Sequence, residues 1–219
     1  MVKIRTVEAL DDAISAEIAW RKQELSTTLK LVQQSKGPAQ TANLRSGVVI
    51  LYAHWEGWVK AVAQLYIRYV NTQALPYDQL STAFLGTALK TKMSEIDEAN
   101  TPMVHNNFAS FIQEKLSDRA KLSEDLVRTE SNLSSRVFFA VLDRIGLEKR
   151  DKYILRANMI DHDLVHQRNT IAHGEHLELG VGDFRTLRND TLDLLGLFTD
   201  DVRNAASTGR HLAVPTPQV

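Results

Sequence analysis

Apolar side chains recur along this chain at spacings of three, four and seven, the period of amphipathic helices, and no stretch of any length alternates as a strand would. Val7, Leu10, Ile14, Ile18, Leu25, Leu29 and Val32 trace one face of a long first helix, which Gly37 is expected to end and Pro38 to separate from the next. A second helix is expected from about Ala39 to Val70, with Leu44, Val48, Leu51, Trp55, Val59, Val62, Tyr66 and Tyr69 as its apolar stripe. Val49, Ile50, Ala53, Trp58 and Ala61 widen that stripe, which predicts a central helix with neighbours on most sides. Gly57 costs about 1 kcal/mol relative to alanine in a helix interior. With Ala53 and Ala61 it makes a strip of small residues where another helix can approach closely.

The middle of the chain carries shorter patterns. Tyr77 to Met93 and Phe108 to Leu116 read as helical, parted by the Asn100-Thr101-Pro102 break. Leu133 to Ile145 reads as a further helix, with Asn132 and Ser134 as its caps and Gly146 as its stop. Ala157 to Ala172 and Asp183 to Asn204 complete the set, joined by a turn over Glu178 to Gly182. The expected fold is all-α: a bundle of long antiparallel helices with the middle helical segment inserted. Residues 1–204 are expected to form one domain, and 205–219, with Gly209, Pro215 and Pro217, a flexible tail.

Composition narrows the function classes. Hydrophobic residues at 43% and charged residues at 24% fall in the ordinary globular range. The longest apolar run, Gly47 to Ala53, is far too short to cross a bilayer, and the first residues lack a signal-peptide core, so the expected location is the cytoplasm, with no membrane partner. The chain has no cysteine, which removes disulfides, thiolate zinc sites and cysteine nucleophiles together. A net charge of −1 argues against a broad surface that coats nucleic acid, because non-specific affinity comes mostly from neutralised phosphates. Any RNA contact must therefore be local, in a groove.

Chemistry concentrates between Ala157 and His173. Continuous α-helical spacing places Ile160, Leu164 and Ile171 toward a core, and His162, His166, Asn169 and His173 along a polar face flanked by Arg168. Histidine near neutrality, arginine for anionic charge and an amide to orient them make a reasonable phosphodiester-cleaving set that requires neither metal nor cofactor. An Arg-x4-His spacing alone is common by chance. His162 and His166 are candidate substrate contacts; alternatively they could ligate a metal with Asp161, Asp163 or His173, a reading that the absence of a His-Glu-x-x-His pattern disfavours. Arg168 and His173 lie five residues apart, far around one helix from each other, and two copies packed across a two-fold axis would bring them onto one ligand.

The segment Leu164-Val165-His166-Gln167-Arg168-Asn169-Thr170-Ile171-Ala172-His173-Gly174 resembles the signature of the HEPN superfamily. Leu51-Tyr52-Ala53-His54-Trp55-Glu56-Gly57-Trp58-Val59-Lys60 and Ala19-Trp20-Arg21-Lys22-Gln23-Glu24 extend the likeness toward its MAE-like branch, bacterial proteins found near toxin–antitoxin and phage-defence genes. The resemblance implies an all-α homodimer and, in many members, metal-independent cleavage of RNA, with Arg168, Asn169 and His173 in the site. It also implies a cognate antitoxin or defence-system partner. Some members only bind nucleotides, RNA or other proteins, so a catalytically silent binding module is the alternative. One subgroup carries a tyrosine two positions after the histidine; here that position is Glu175.

Overall fold

A computed structural model describes residues 3–99, 102–127 and 132–214. Among them the regular structure is helical, apart from isolated bridges that pair Pro76 with Arg119 and Leu80 with Leu212. Helix α1, Val7–Gln34, starts where the Thr6 hydroxyl accepts the Ala9 amide at 3.1 Å. It ends at Gln34, three residues before the expected glycine stop. Gly37 instead opens α2, Gly37–Thr72, with Pro38 in its first turn. The difference has a simple cause: Ser35 closes α1 in extended geometry, and Gly37, at φ +58°, supplies the left-handed step that redirects the chain.

Helix α2 is the hub. It packs on α1 along one side and on α8, Val181–Ser207, along another, while α1 also touches α8. Its apolar stripe is buried as the spacing requires, and Trp58 joins it, donating its indole N–H to the Thr199 hydroxyl at 2.9 Å. Gly47 makes room for a packed ring: a Cβ there would meet the ring of the fully buried Phe184 at 2.8 Å. The small strip around Gly57 takes a side chain rather than a helix backbone, because a Cβ at Gly57 would lie 2.6 Å from Nη1 of Arg21. Arg21, buried against α2, bonds Glu17 at 2.6 Å and lies 3.4 Å from Nδ1 of His54, whose Nε2 reaches Glu24 at 2.6 Å. Val49 and Ala53 are exposed, so α2 keeps one open face and is less enclosed than its sequence predicts.

The inserted middle is more broken than its pattern. A single 3-10 turn, Tyr77–Gln79, precedes α3, Thr82–Ala99; α4 runs over Pro102–Glu114, and a second 3-10 turn over Glu124–Leu126. Pro102 is the first residue of α4, the position where a missing N–H costs nothing, while Asn100 and Thr101 lie outside the described residues. Helix α5, Ser135–Arg144, has Ser134 as its cap and Gly146, at φ +70°, just past its end. Helix α6 is one turn, Asp151–Ile154.

The chain beyond residue 204 departs from the expected flexible tail. Helix α8 continues to Ser207 with Ala205 and Ala206 buried, and Gly209 at φ +68° then turns the chain back. Backbone bonds from Ser81 to His211 and from Ala213 to Gln79, both 2.8 Å, fasten this segment beside α3. The glycine read as a sign of fraying is the turn that lets His211 pack, buried, against Tyr66 and Tyr69. Residues 215–219, with Pro215 and Pro217, lie outside the described residues. Among the described residues, no helix is long and apolar enough to cross a membrane.

Candidate functional site

The motif segment is not one α-helix. Met159–His166 forms eight residues of π-helix, which continue directly into α7, Gln167–Ala172. Its backbone bonds span five residues instead of four, so each turn takes up an extra residue. The α-helical spacing that put His162, His166, Asn169 and His173 in line therefore fails across this segment. Ile160 and Leu164 still reach the core, and Ile171 is half-buried against it. His162, His166 and His173 are exposed, whereas Asn169 is half-buried.

Arg168 turns inward. Its guanidinium carbon lies 4.0 Å from the centre of the Tyr52 ring on α2, and Nη2 donates to the Asn132 side-chain oxygen at 2.8 Å. Of the two residues expected to cap α5, Ser134 does so, whereas the Asn132 side-chain oxygen accepts from Arg168. Tyr52 is itself fixed. Its hydroxyl accepts the Leu133 amide at 2.7 Å, so the short run Asn132-Leu133 holds both the phenol and the arginine. Burial raises the Tyr52 phenol above its ordinary range, opposed by the Leu133 amide and by Arg168, while Glu56, one turn further along α2, raises it further.

Asp161 ties the π-helical segment to the same region. One carboxylate oxygen accepts the Ser135 amide at 2.7 Å and the other its hydroxyl at 2.6 Å, so the start of α5 is fastened to the motif segment. This commits Asp161 elsewhere than toward His162 and His166. Those two rings meet edge to face, centres 5.9 Å apart, on the exposed side. Among the described residues no group of three or more histidine or carboxylate side chains is placed to hold an ion.

His173 stands where α7 stops. Gly174, at φ +78°, accepts the left-handed turn; its amide bonds Ile171 and the Glu175 amide bonds Thr170, at 3.1 and 3.0 Å. Arg45 on α2 then holds the Glu175 carbonyl at 2.7 Å. From Arg168 to His173 the chain advances five residues, about 140° around an α-helix. One side chain is half-buried against α2, and the other is exposed at the helix end. Beside them, Ile171 closes one side of an open groove of about 600 Å³ lined also by Pro38, Ala42, Val49 and Ile50.

Sequence reasoning proposed Arg168, Asn169 and His173 as site residues and did not reveal the aromatic face and the amide that contact the arginine. Tyr52 lay in a noted motif without a role, and Asn132 carried a cap reading that its spacing equally allowed. The model of the MAE_28990-like HEPN family matches residues 10–210 of the chain. No curated protein and no solved structure gives a significant match.

Proposed function

The chain belongs to the MAE_28990-like HEPN family, and on that footing we propose that it is a metal-independent endoribonuclease acting at Arg168, Asn169 and His173. The observation that carries this reading is the held guanidinium of Arg168 on the same short helical stretch as the exposed imidazole of His173. In the proposed reaction the ribose 2′-oxygen attacks the adjacent phosphorus. His173 takes the 2′-hydroxyl proton or delivers a proton to the departing 5′-oxygen, and water or the imidazole of a second copy carries out the other transfer. Arg168 stabilises the charge that grows on the phosphorane oxygens, and Asn169 orients the phosphate or the histidine. The products are a 2′,3′-cyclic phosphate and a 5′-hydroxyl, and no ion is needed to balance the step. His162 and His166 are proposed contacts for the RNA beside the cleaved bond.

The active unit of this proposal is a homodimer with the motif segment at its interface. Support comes from the 140° between the two side chains, which a second copy across a two-fold axis would make good, and from the half-open groove beside Ile171. The proposal extends to a toxin–antitoxin or phage-defence setting, in the cytoplasm, with a cognate antitoxin or defence protein as partner. A second reading, a silent HEPN module that binds nucleotides, RNA or a protein, draws on the net charge of −1 and on the half-buried state of Arg168. Incubation of purified protein with end-labelled RNA, with and without EDTA, separates the two. The expected result is EDTA-resistant cleavage that leaves 2′,3′-cyclic phosphate ends and spares DNA; intact RNA at all protein concentrations leaves the silent module.

A further inference from the structure

We infer that Tyr52 and Asn132 are positioning residues for Arg168, forming a clamp from α2 and the start of α5 that aims the guanidinium at a phosphate of bound RNA. The inference rests on the proposed site but concerns how that site is held. An arginine side chain has several freely rotating bonds, and a fork that must meet phosphate oxygens loses much of its value if it has to be ordered at the moment of binding. Here two contacts of different kind remove that freedom. The Tyr52 ring, whose centre lies 4.0 Å from the guanidinium carbon, holds the fork over its face by cation–π attraction. The Asn132 oxygen, 2.8 Å from Nη2, fixes the direction of one N–H arm.

The clamp is itself anchored, which separates it from a chance surface contact. Tyr52 is almost wholly buried, and its hydroxyl is held by the Leu133 amide. Leu133 is fully buried, and its carbonyl accepts the indole N–H of Trp55 at 2.9 Å. Two side chains three apart on α2 thus grip one residue, Leu133, and the neighbour of that residue grips Arg168. The Asp161 carboxylate closes the loop by fastening Ser135 to the motif segment that carries Arg168. Helix α7 has its own glycine turn at its end, and both contacts fall on one side chain. Their shared target is the arginine.

The test is a double-mutant cycle read two ways: single-turnover cleavage of RNA, and affinity for a 2′-O-methyl RNA that cannot be cleaved. In wild-type background, Asn132→Ala and Tyr52→Leu should each lower the cleavage rate and the affinity about tenfold, within the range that contacting residues show. Tyr52→Phe keeps the ring face and should stay within about threefold of wild type, although it gives up the bond to Leu133. In an Arg168→Ala background the same substitutions should add almost nothing, whereas a merely structural role would lower both readouts again. If Arg168→Ala weakens cleavage or binding while Asn132→Ala and Tyr52→Leu leave both unchanged or raise them, the clamp is overturned and the proposed site stands. If wild type binds but does not cleave and the cycle holds in affinity, the nuclease reading falls and the clamp remains. If Arg168→Ala changes neither readout, both fall.

Discussion

At the scale of single residues, the proposed chemistry depends on two side chains that do not substitute for each other. His173→Ala should lower the single-turnover rate about 10²–10⁴-fold, the range of general acid–base groups, with little loss of stability because the side chain is exposed. Arg168→Ala should cost a comparable factor, and Arg168→Lys should recover little of it. An ammonium is a point charge; it lacks the planar fork that can meet Tyr52, Asn132 and a phosphate at once. Rates for the three variants check this, with melting curves to show that each is folded. Equal rates for wild type and His173→Ala would remove the imidazole from the chemistry. Arg168, Asn169 and His173 could be singled out as candidates because they lie within six consecutive positions of one helical segment. The clamp could not, because Tyr52, Asn132 and Arg168 are far apart in the chain and meet only through packing, which a spacing rule does not register.

The long elements were legible for the reason that short ones were not. In α1, α2 and α8 many turns repeat one apolar face, so Val7–Gln34, Gly37–Thr72 and Val181–Ser207 fall within a few residues of their expected bounds. The motif segment spans too few turns to reveal that Met159–His166 is π-helical, since Ile160 and Leu164 fit either period. Such segments need support from outside the helix. Asp161 supplies it here by accepting both the amide and the hydroxyl of Ser135 at the start of α5. Asp161→Ala should therefore destabilise the fold by about 1–3 kcal/mol, the cost of leaving the partly buried Ser135 amide without its acceptor. Asp161→Asn, which keeps one acceptor oxygen, should cost less. Urea midpoints give both values, and an Asp161→Ala protein as stable as wild type would mean that the tie contributes nothing.

At the scale of the whole molecule, the proposed dimer predicts a mass near twice 24.6 kDa by light scattering at micromolar concentration; a stable monomer there removes the two-fold site. A second property of the whole fold is its response to acid. His54 and His211 are both buried, and burial holds each below the ordinary histidine range, for His54 against a partial opposing pull from Glu24. In the fold His54 takes the neutral form that the network requires: Nδ1 faces the Arg21 guanidinium, and Nε2 donates to Glu24. The unfolded chain protonates its histidines near pH 6.5, before these two take up protons in the fold. Between that pH and their lowered values the unfolded state binds more protons, so stability falls as the pH falls. Above about pH 7 both states are neutral and the full stability is present. The urea midpoint should accordingly hold from pH 8 to about pH 7 and drop between pH 7 and pH 5.5, a window that lies above the ordinary carboxylate range. Replacing both histidines by glutamine, in a protein shown to fold, should flatten the drop. A wild-type midpoint that stays level or rises across that window would show that neither imidazole is held neutral, and that the bond between Arg21 and His54 does not fix the ring as drawn.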